Sequence, residues 1–299
     1  MTNRRMNTNL KAALWMIGAI TSFTTMAVAG RAVSLELDTF EIMFYRSLTG
    51  ICIVLAVASY AGTLGQVGRE RLDLHFIRNI CHFAGQNLWF YAITVIPLAQ
   101  VFALEFTTPV WVILLSPLLL RERLTATGIL AAAIGFVGIL IVARPDPTNL
   151  NPGLIAAASC AVFFALTAIL TRKLTRTETI TTILVYLTTM QAVFGLVCAG
   201  YDGDIALPSL TALPWVVLIG CAGLLAHFCL TTALGLAPAS IVMPMDFVRL
   251  PTIAVVGMLV YGEPLEVLVF VGAAFIFVAN FINITKNRPA APRVQETFR

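Results

Sequence analysis

The chain has 299 residues, 59% of them apolar and only 11% charged, with a mean hydropathy of +0.90. Soluble domains carry about 25% charged residues, so a mostly water-facing surface is excluded. Apolar stretches of about 20 residues recur along the chain, each able to cross a ~30 Å hydrocarbon core as a helix; strand alternation is absent, which argues against a β-barrel.

Apolar runs set against charged or Gly/Pro-rich breaks predict ten spans, at 11–30, 39–60, 76–95, 98–119, 125–143, 153–171, 179–200, 212–234, 238–260 and 265–284. The first follows Arg4 and Arg5 and ends in "AVAG" (27–30), imitating a cleavable signal peptide; it is expected to be retained, because it has a partner later in the chain. The second carries Tyr45 and Arg46, with Glu41 the acid nearest to Arg46 in sequence. The third, "RNICHFAGQNLWFYAI" (78–93), is the most polar-aromatic: Arg78, His82, Gln86 (or Gly85) and Trp89 follow helical spacing along one face. The fourth holds "LEFTTP" (104–109), with Glu105 deep in an apolar run, then Trp111. The fifth and tenth carry small residues, "AAAIGFVG" and "GAAF", which allow close helix approach within the bundle or toward a second protomer, so that a homodimer is one expectation. Tyr186 lies in the seventh span, His227 in the eighth, and "MDFVRLP" (245–251) in the ninth. Residues 286–299 read as a polar cytoplasmic tail.

With the N-terminus inside, cytoplasmic segments collect most of the cations, among them Arg69, Arg71, Arg78, Arg121, Arg123, Arg172, Lys173 and Arg176, and the opposite side has only Arg31 and Arg144. The positive-inside rule thus puts both termini in the cytoplasm. The net charge of +4 reflects this orientation and calls for no nucleic-acid partner. Six cysteines, all within spans and without a CxxC, read as small buried residues, neither a disulfide framework nor a metal site. No metal and no cofactor is expected: no acid cluster or H-x-x-x-H accompanies the three histidines, and no GxxxxGK[ST] loop is present.

Sliding the sequence on itself by 141 residues aligns two halves without gaps. Arg31 falls on Arg172, Tyr45 on Tyr186, Gln86 on His227, Pro97 on Pro238, Glu105 on Asp246, Phe106 on Phe247 and Glu122 on Glu263. Residues 1–150 and 151–285 are therefore read as two five-helix repeats, and the odd helix number inverts the second relative to the first. Inverted repeats in membrane proteins go with secondary transporters, whose halves alternate access to a central site. The ten spans and the "P…E/D-F…L-x-E-[RP]-L" pattern that ends each half resemble the drug/metabolite transporter superfamily, more narrowly its ten-helix EamA-type exporters; "LLLRERLTATGILAAAIGFVGILIV" (118–142) is the most typical stretch. The resemblance implies an all-α basket of helices around a central cavity, and members that carry small metabolites, often amino acids outward.

Charges at the bilayer centre cost roughly 2.5–3.5 kcal/mol and should face the bundle or a wet cavity. Arg46, Glu105, Asp246 and Arg249 stand well inside spans. Two arginines and two acids nearly cancel, which suits a zwitterion or a neutral polar solute. Asp246 and Arg249, at i, i+3, have a second reading as a structural pair; Glu105 has no acid-base partner near it in sequence and reads as the functional acid. Pro109 and Pro251 free the carbonyls of Glu105 and Phe247, as a cavity lining or as packing kinks. His82 and His227 are polar groups at matched levels; Trp89 and Trp111 are expected as cavity walls; Tyr45 and Tyr186, as repeat mates, have equivalent packing as their simpler reading. Glu122 and Glu263 read as acids at the N-terminus of the helix that follows each. The sequence thus points to an exporter of amino acids or similar small metabolites, working in the cytoplasmic membrane by alternating access. A carrier or facilitator of nucleosides, vitamins or drug-like molecules is the alternative, and an integral-membrane enzyme lacks any nucleophile–base pair to support it.

Overall fold

The structure, a computed structural model, describes residues 8–120, 126–144, 151–174, 177–201, 203–236, 245–246 and 248–286. Among them there is no strand. The α-helices are α1 (Thr8–Val33), α2 (Thr39–Tyr60), α3 (Leu72–Val95), α4 (Leu98–Glu105), α5 (Thr108–Leu120), α6 (Ala126–Ala143), α7 (Pro152–Leu174), α8 (Ile180–Ala199), α9 (Leu213–Leu236), α10 (Arg249–Tyr261) and α11 (Val267–Lys286). Six of them, α1, α2, α6, α7, α8 and α9, are long and apolar enough to cross a membrane unaided.

The helix ends follow the 141-residue register. α3 spans 72–95 and α9 spans 213–236; α5 spans 108–120 and α10 spans 249–261. Packing obeys the same exchange. α1 lies along α9 and α3 along α7, while α2 faces its own mate α8 and α6 faces its mate α11. Such swapped partners are what a pseudo-two-fold relation between the halves produces, and they make α1 an integral wall of the bundle.

The predicted fourth span is not continuous. α4 stops at Glu105 and α5 starts at Thr108, because Pro109 has no N–H for the Glu105 carbonyl. That carbonyl is not left free: Thr108 Oγ1 donates to it at 2.7 Å, and Thr107 Oγ1 donates to the Leu104 carbonyl at 2.7 Å. In the predicted ninth span 238–244 and Phe247 lie outside the described residues, but 245–246 are helical, Val248 is a turn and α10 opens at Arg249 with Pro251 in its first turn. Both halves therefore break a helix just after the acid.

Close approach explains the small residues. A Cβ on Gly138 would sit 2.7 Å from the Gly272 carbonyl oxygen, so α6 and α11 touch backbone to backbone inside this bundle. Cys160 and Cys229 are buried as expected, but Cys52 and Cys221 are exposed, which corrects the reading of all six as buried. Glu41 is committed to the start of α2: Asp38 Oδ1 accepts from the Glu41 and Phe40 N–H groups at 2.8 Å, and Glu41 Oε2 accepts from the Asp38 N–H at 2.8 Å. Glu41 is thereby unavailable to Arg46.

Candidate functional site

Two polar regions lie inside the bundle. In the first, Arg249 opens α10 and its Nη2 donates to Glu105 Oε1 at 3.2 Å and to Asp246 Oδ2 at 3.0 Å. Trp89 Nε1 donates to the other Glu105 oxygen at 2.8 Å. The guanidinium carbon lies 4.7, 5.0 and 4.9 Å from the ring centres of Phe23, Phe102 and Phe106. A desolvated cation over ring faces is held by their quadrupoles as well as by its counter-ions. Glu105, whose partner was not visible in sequence, is thus tied to an arginine 144 residues away. The reading of Glu105 as an unpaired acid is corrected, because the crossing of α4 and α10 supplies the cation. Trp89 is 2% exposed and is part of this knot and not a cavity wall.

In the second region, α2, α8 and α9 enclose a cavity of about 360 Å³, its open mouth included. From α2 come Arg46, Ser47 and Gly50, and from α8 come Leu187, Thr188 and Gln191. Each of these three pairs is related by 141 residues, so the cavity sits on the axis between the halves. α9 closes one side with Gly220, Gly223, Leu224 and His227. The equivalent side, formed by α3, is filled: Gln86 Oε1 accepts from Arg46 Nη1 at 2.8 Å, and the Asn79 carbonyl accepts from Gln191 Nε2 at 2.9 Å. Behind them His82 is buried, and neither ring nitrogen has a hydrogen-bond partner among the described residues. Gly85 is a packing position against Phe164 of α7, which settles the face in favour of Gln86.

The remaining candidates lie elsewhere. Trp111 packs edge-on against Phe136 of α6, with ring centres 5.3 Å apart, away from the cavity described. Tyr186 donates its hydroxyl to the Gly68 carbonyl at 2.9 Å, while its mate Tyr45 donates to the Ala206 carbonyl at 2.9 Å. Each tyrosine ties its helix to a loop of the other half, so neither lines the cavity. Glu263 does not serve α11. It pairs with Arg31, and its Oε2 accepts from the Leu98 N–H at 2.9 Å, at the N-terminus of α4. Arg31 also donates to the carbonyls of Ile93 and Ile96 and lies 4.7 Å from the Tyr261 ring centre. One ion pair therefore latches α1, the α3–α4 turn and the end of α10. Glu122 lies outside the described residues.

The sequence profile of the EamA-like transporter family matches residues 10–144 and again 151–285. The chain belongs to the EamA-like transporter family. An S-adenosylmethionine uptake transporter of Rickettsia felis is 23% identical over 99% of both chains. A riboflavin transporter of Brucella anthropi is 28% identical, covering 89% of this chain and 95% of that protein. A solved crystal structure matches with a TM-score of 0.63 at 17% identity, over 92% of this chain and 96% of the other, and shows the same fold.

In this EamA-like transporter several interior polar residues were not among the candidates, although Arg78 had been placed on the polar face of the third span. Arg78, counted among the cytoplasmic charges, is buried and donates to Thr171 Oγ1 at 3.1 Å and Asn79 Oδ1 at 2.9 Å. Asn79, Thr188 and Gln191 line or brace the cavity. The signal was present for Gln191, an amide in the middle of an apolar span, where a polar group without a partner is costly.

Proposed function

We propose that this protein is a secondary transporter that moves a small polar metabolite across the cytoplasmic membrane, its two halves exposing the cavity at α2, α8 and α9 first to one side and then to the other. The observation that carries this reading is the placement of that cavity between repeat-related residues of α2 and α8, with α9 lining one flank and the equivalent helix α3 packed against the other. In a rocking mechanism the two flanks exchange roles. The Arg31–Glu263 latch closes the end of the bundle that the charge distribution places outside.

Amino-acid export remains the reading drawn from the sequence, supported by interior charges that match a zwitterion. The names of the relatives favour a second reading, uptake of a larger metabolite such as a vitamin or an S-adenosylmethionine-like compound. Both ask for the same experiment. Purified protein in liposomes is offered labelled amino acids, S-adenosylmethionine and riboflavin, in uptake and in counterflow, with Glu105→Gln in parallel. Accumulation and counterflow of one class identifies the cargo. Flux that passes without counterflow stimulation argues for a facilitator, and absence of flux for every compound removes the transporter reading for these solutes.

A further inference from the structure

We propose that the cavity beside Arg46 is a carboxylate-binding subsite, and that the transported solute presents one carboxylate to the Arg46 guanidinium. This rests on the transporter reading and names the chemical class of its cargo.

The first argument is a charge census. Among the described residues, ion pairs engage Arg31, Arg144 and Arg249, each with one or two carboxylates. Arg46 has none. Its Nη1 holds Gln86 Oε1 at 2.8 Å and lies 3.7 Å from Met43 Sδ, and its Nε and Nη2 make no hydrogen bond among the described residues. A guanidinium offers five donors in a planar fork that matches a carboxylate, so most of this fork is open. Leaving such a charge inside a membrane bundle is costly unless a counter-ion arrives.

The second argument is space. Gly50 and Gly220 are needed for packing, since a Cβ at either would come within 2.9 Å of Thr188 and 2.8 Å of Thr49. Gly223 is different. Its Cβ would lie 3.7 Å from Arg46 Nη2 and 3.4 Å from Met26 Sδ, ordinary contact distances. Packing tolerates alanine there, and the glycine leaves room directly at the open side of the fork.

The third argument is competition. Two other cations lie deep in the bundle: Arg249 already holds two carboxylates and is enclosed by three phenyl rings, and Arg78 is engaged by Thr171 and Asn79 and does not line this cavity. Gln191 Oε1, buried and without a donor among the described residues, adds an acceptor to the Arg46 cavity. A carboxylate with an amino or hydroxyl donor beside it uses both groups.

The test is equilibrium binding, read as thermal stabilisation of nanodisc-embedded protein. The probes are the proteinogenic amino acids, lactate and benzoate at millimolar concentration, each compared with its carboxamide. At least one acid should stabilise the wild type while its carboxamide does not. Arg46→Gln should weaken that binding about 10- to 150-fold, the range of a hydrogen bond to a charged group, and Arg46→Lys should restore part of it. Gly223→Ala, which the packing accommodates, should also weaken it and covers the case in which Arg46→Gln fails to fold. Carboxamides that bind as well as acids, an Arg46→Gln protein that binds acids normally, or no stabilisation by any acid would each overturn the proposal. Binding without flux in liposomes would keep the subsite and remove the transporter reading; flux of uncharged solutes alone would do the reverse.

Discussion

The two arginines at the heart of this bundle teach different lessons. Arg249 sits in a closed knot in which its two carboxylates, the Trp89 N–H and three aromatic rings answer one another. Arg46 lines an open space and, among the described residues, has an amide oxygen, a thioether and the Phe90 ring, its centre 5.8 Å from the guanidinium carbon, but no carboxylate. Counter-charge, and not depth, separates a cation that holds helices together from one that waits for a ligand. Sequence alone ranked them together.

The comparison can be broken most forcefully at Arg249. Arg249→Met leaves two carboxylates in an apolar site with no cation and should cost about 3–5 kcal/mol of stability, read as a fall in the melting temperature of detergent-purified protein. Adding Glu105→Gln and Asp246→Asn should recover most of it; a stable single variant would show that the knot is not structural. Next, Trp89→Phe removes one donor to a carboxylate and should cost about 2 kcal/mol, with substrate affinity unchanged. The Arg31–Glu263 latch, measured by a double-mutant cycle of Arg31→Gln and Glu263→Gln, should show a coupling of about 1 kcal/mol. A coupling near zero would mean that the latch does not hold the α1 and α10 ends together. The smallest effect is expected at Arg46: Arg46→Gln orphans only the Gln86 oxygen, so its stability should fall by about 1 kcal/mol or less. A loss as large as that of Arg249→Met would erase the distinction between the two arginines.

Much of the fold was legible in the sequence because hydropathy and the 141-residue register are properties of a linear string. Helix ends at 72 and 213, or 108 and 249, fall where that register requires. The break after Glu105 was foreshadowed by Pro109, though the threonine hydroxyls that close it were not weighed. The site was legible as residue types and not as pairings. Asp246 and Arg249 are near neighbours in sequence and were seen together; Glu105 and Trp89 join them only through helix crossings, which no local pattern encodes. Tyr186 and Trp111 were misplaced for the same reason. An aromatic residue in an apolar helix gives no hint of whether it faces a loop, a neighbouring helix or a cavity.

The Arg249 knot has a consequence for timing. Glu105 and Asp246 are repeat mates, but the position matched to Arg249 in the first half is Thr108, whose hydroxyl only closes the Glu105 carbonyl. The two acids share one cation, and that cation belongs to the second half alone. In a carrier whose halves trade places, perfectly duplicated contacts would make the two access states equal in free energy. A single unduplicated arginine removes that degeneracy. Under the proposed mechanism the protein then dwells longer facing one side than the other, and the empty carrier returns at different rates in the two directions.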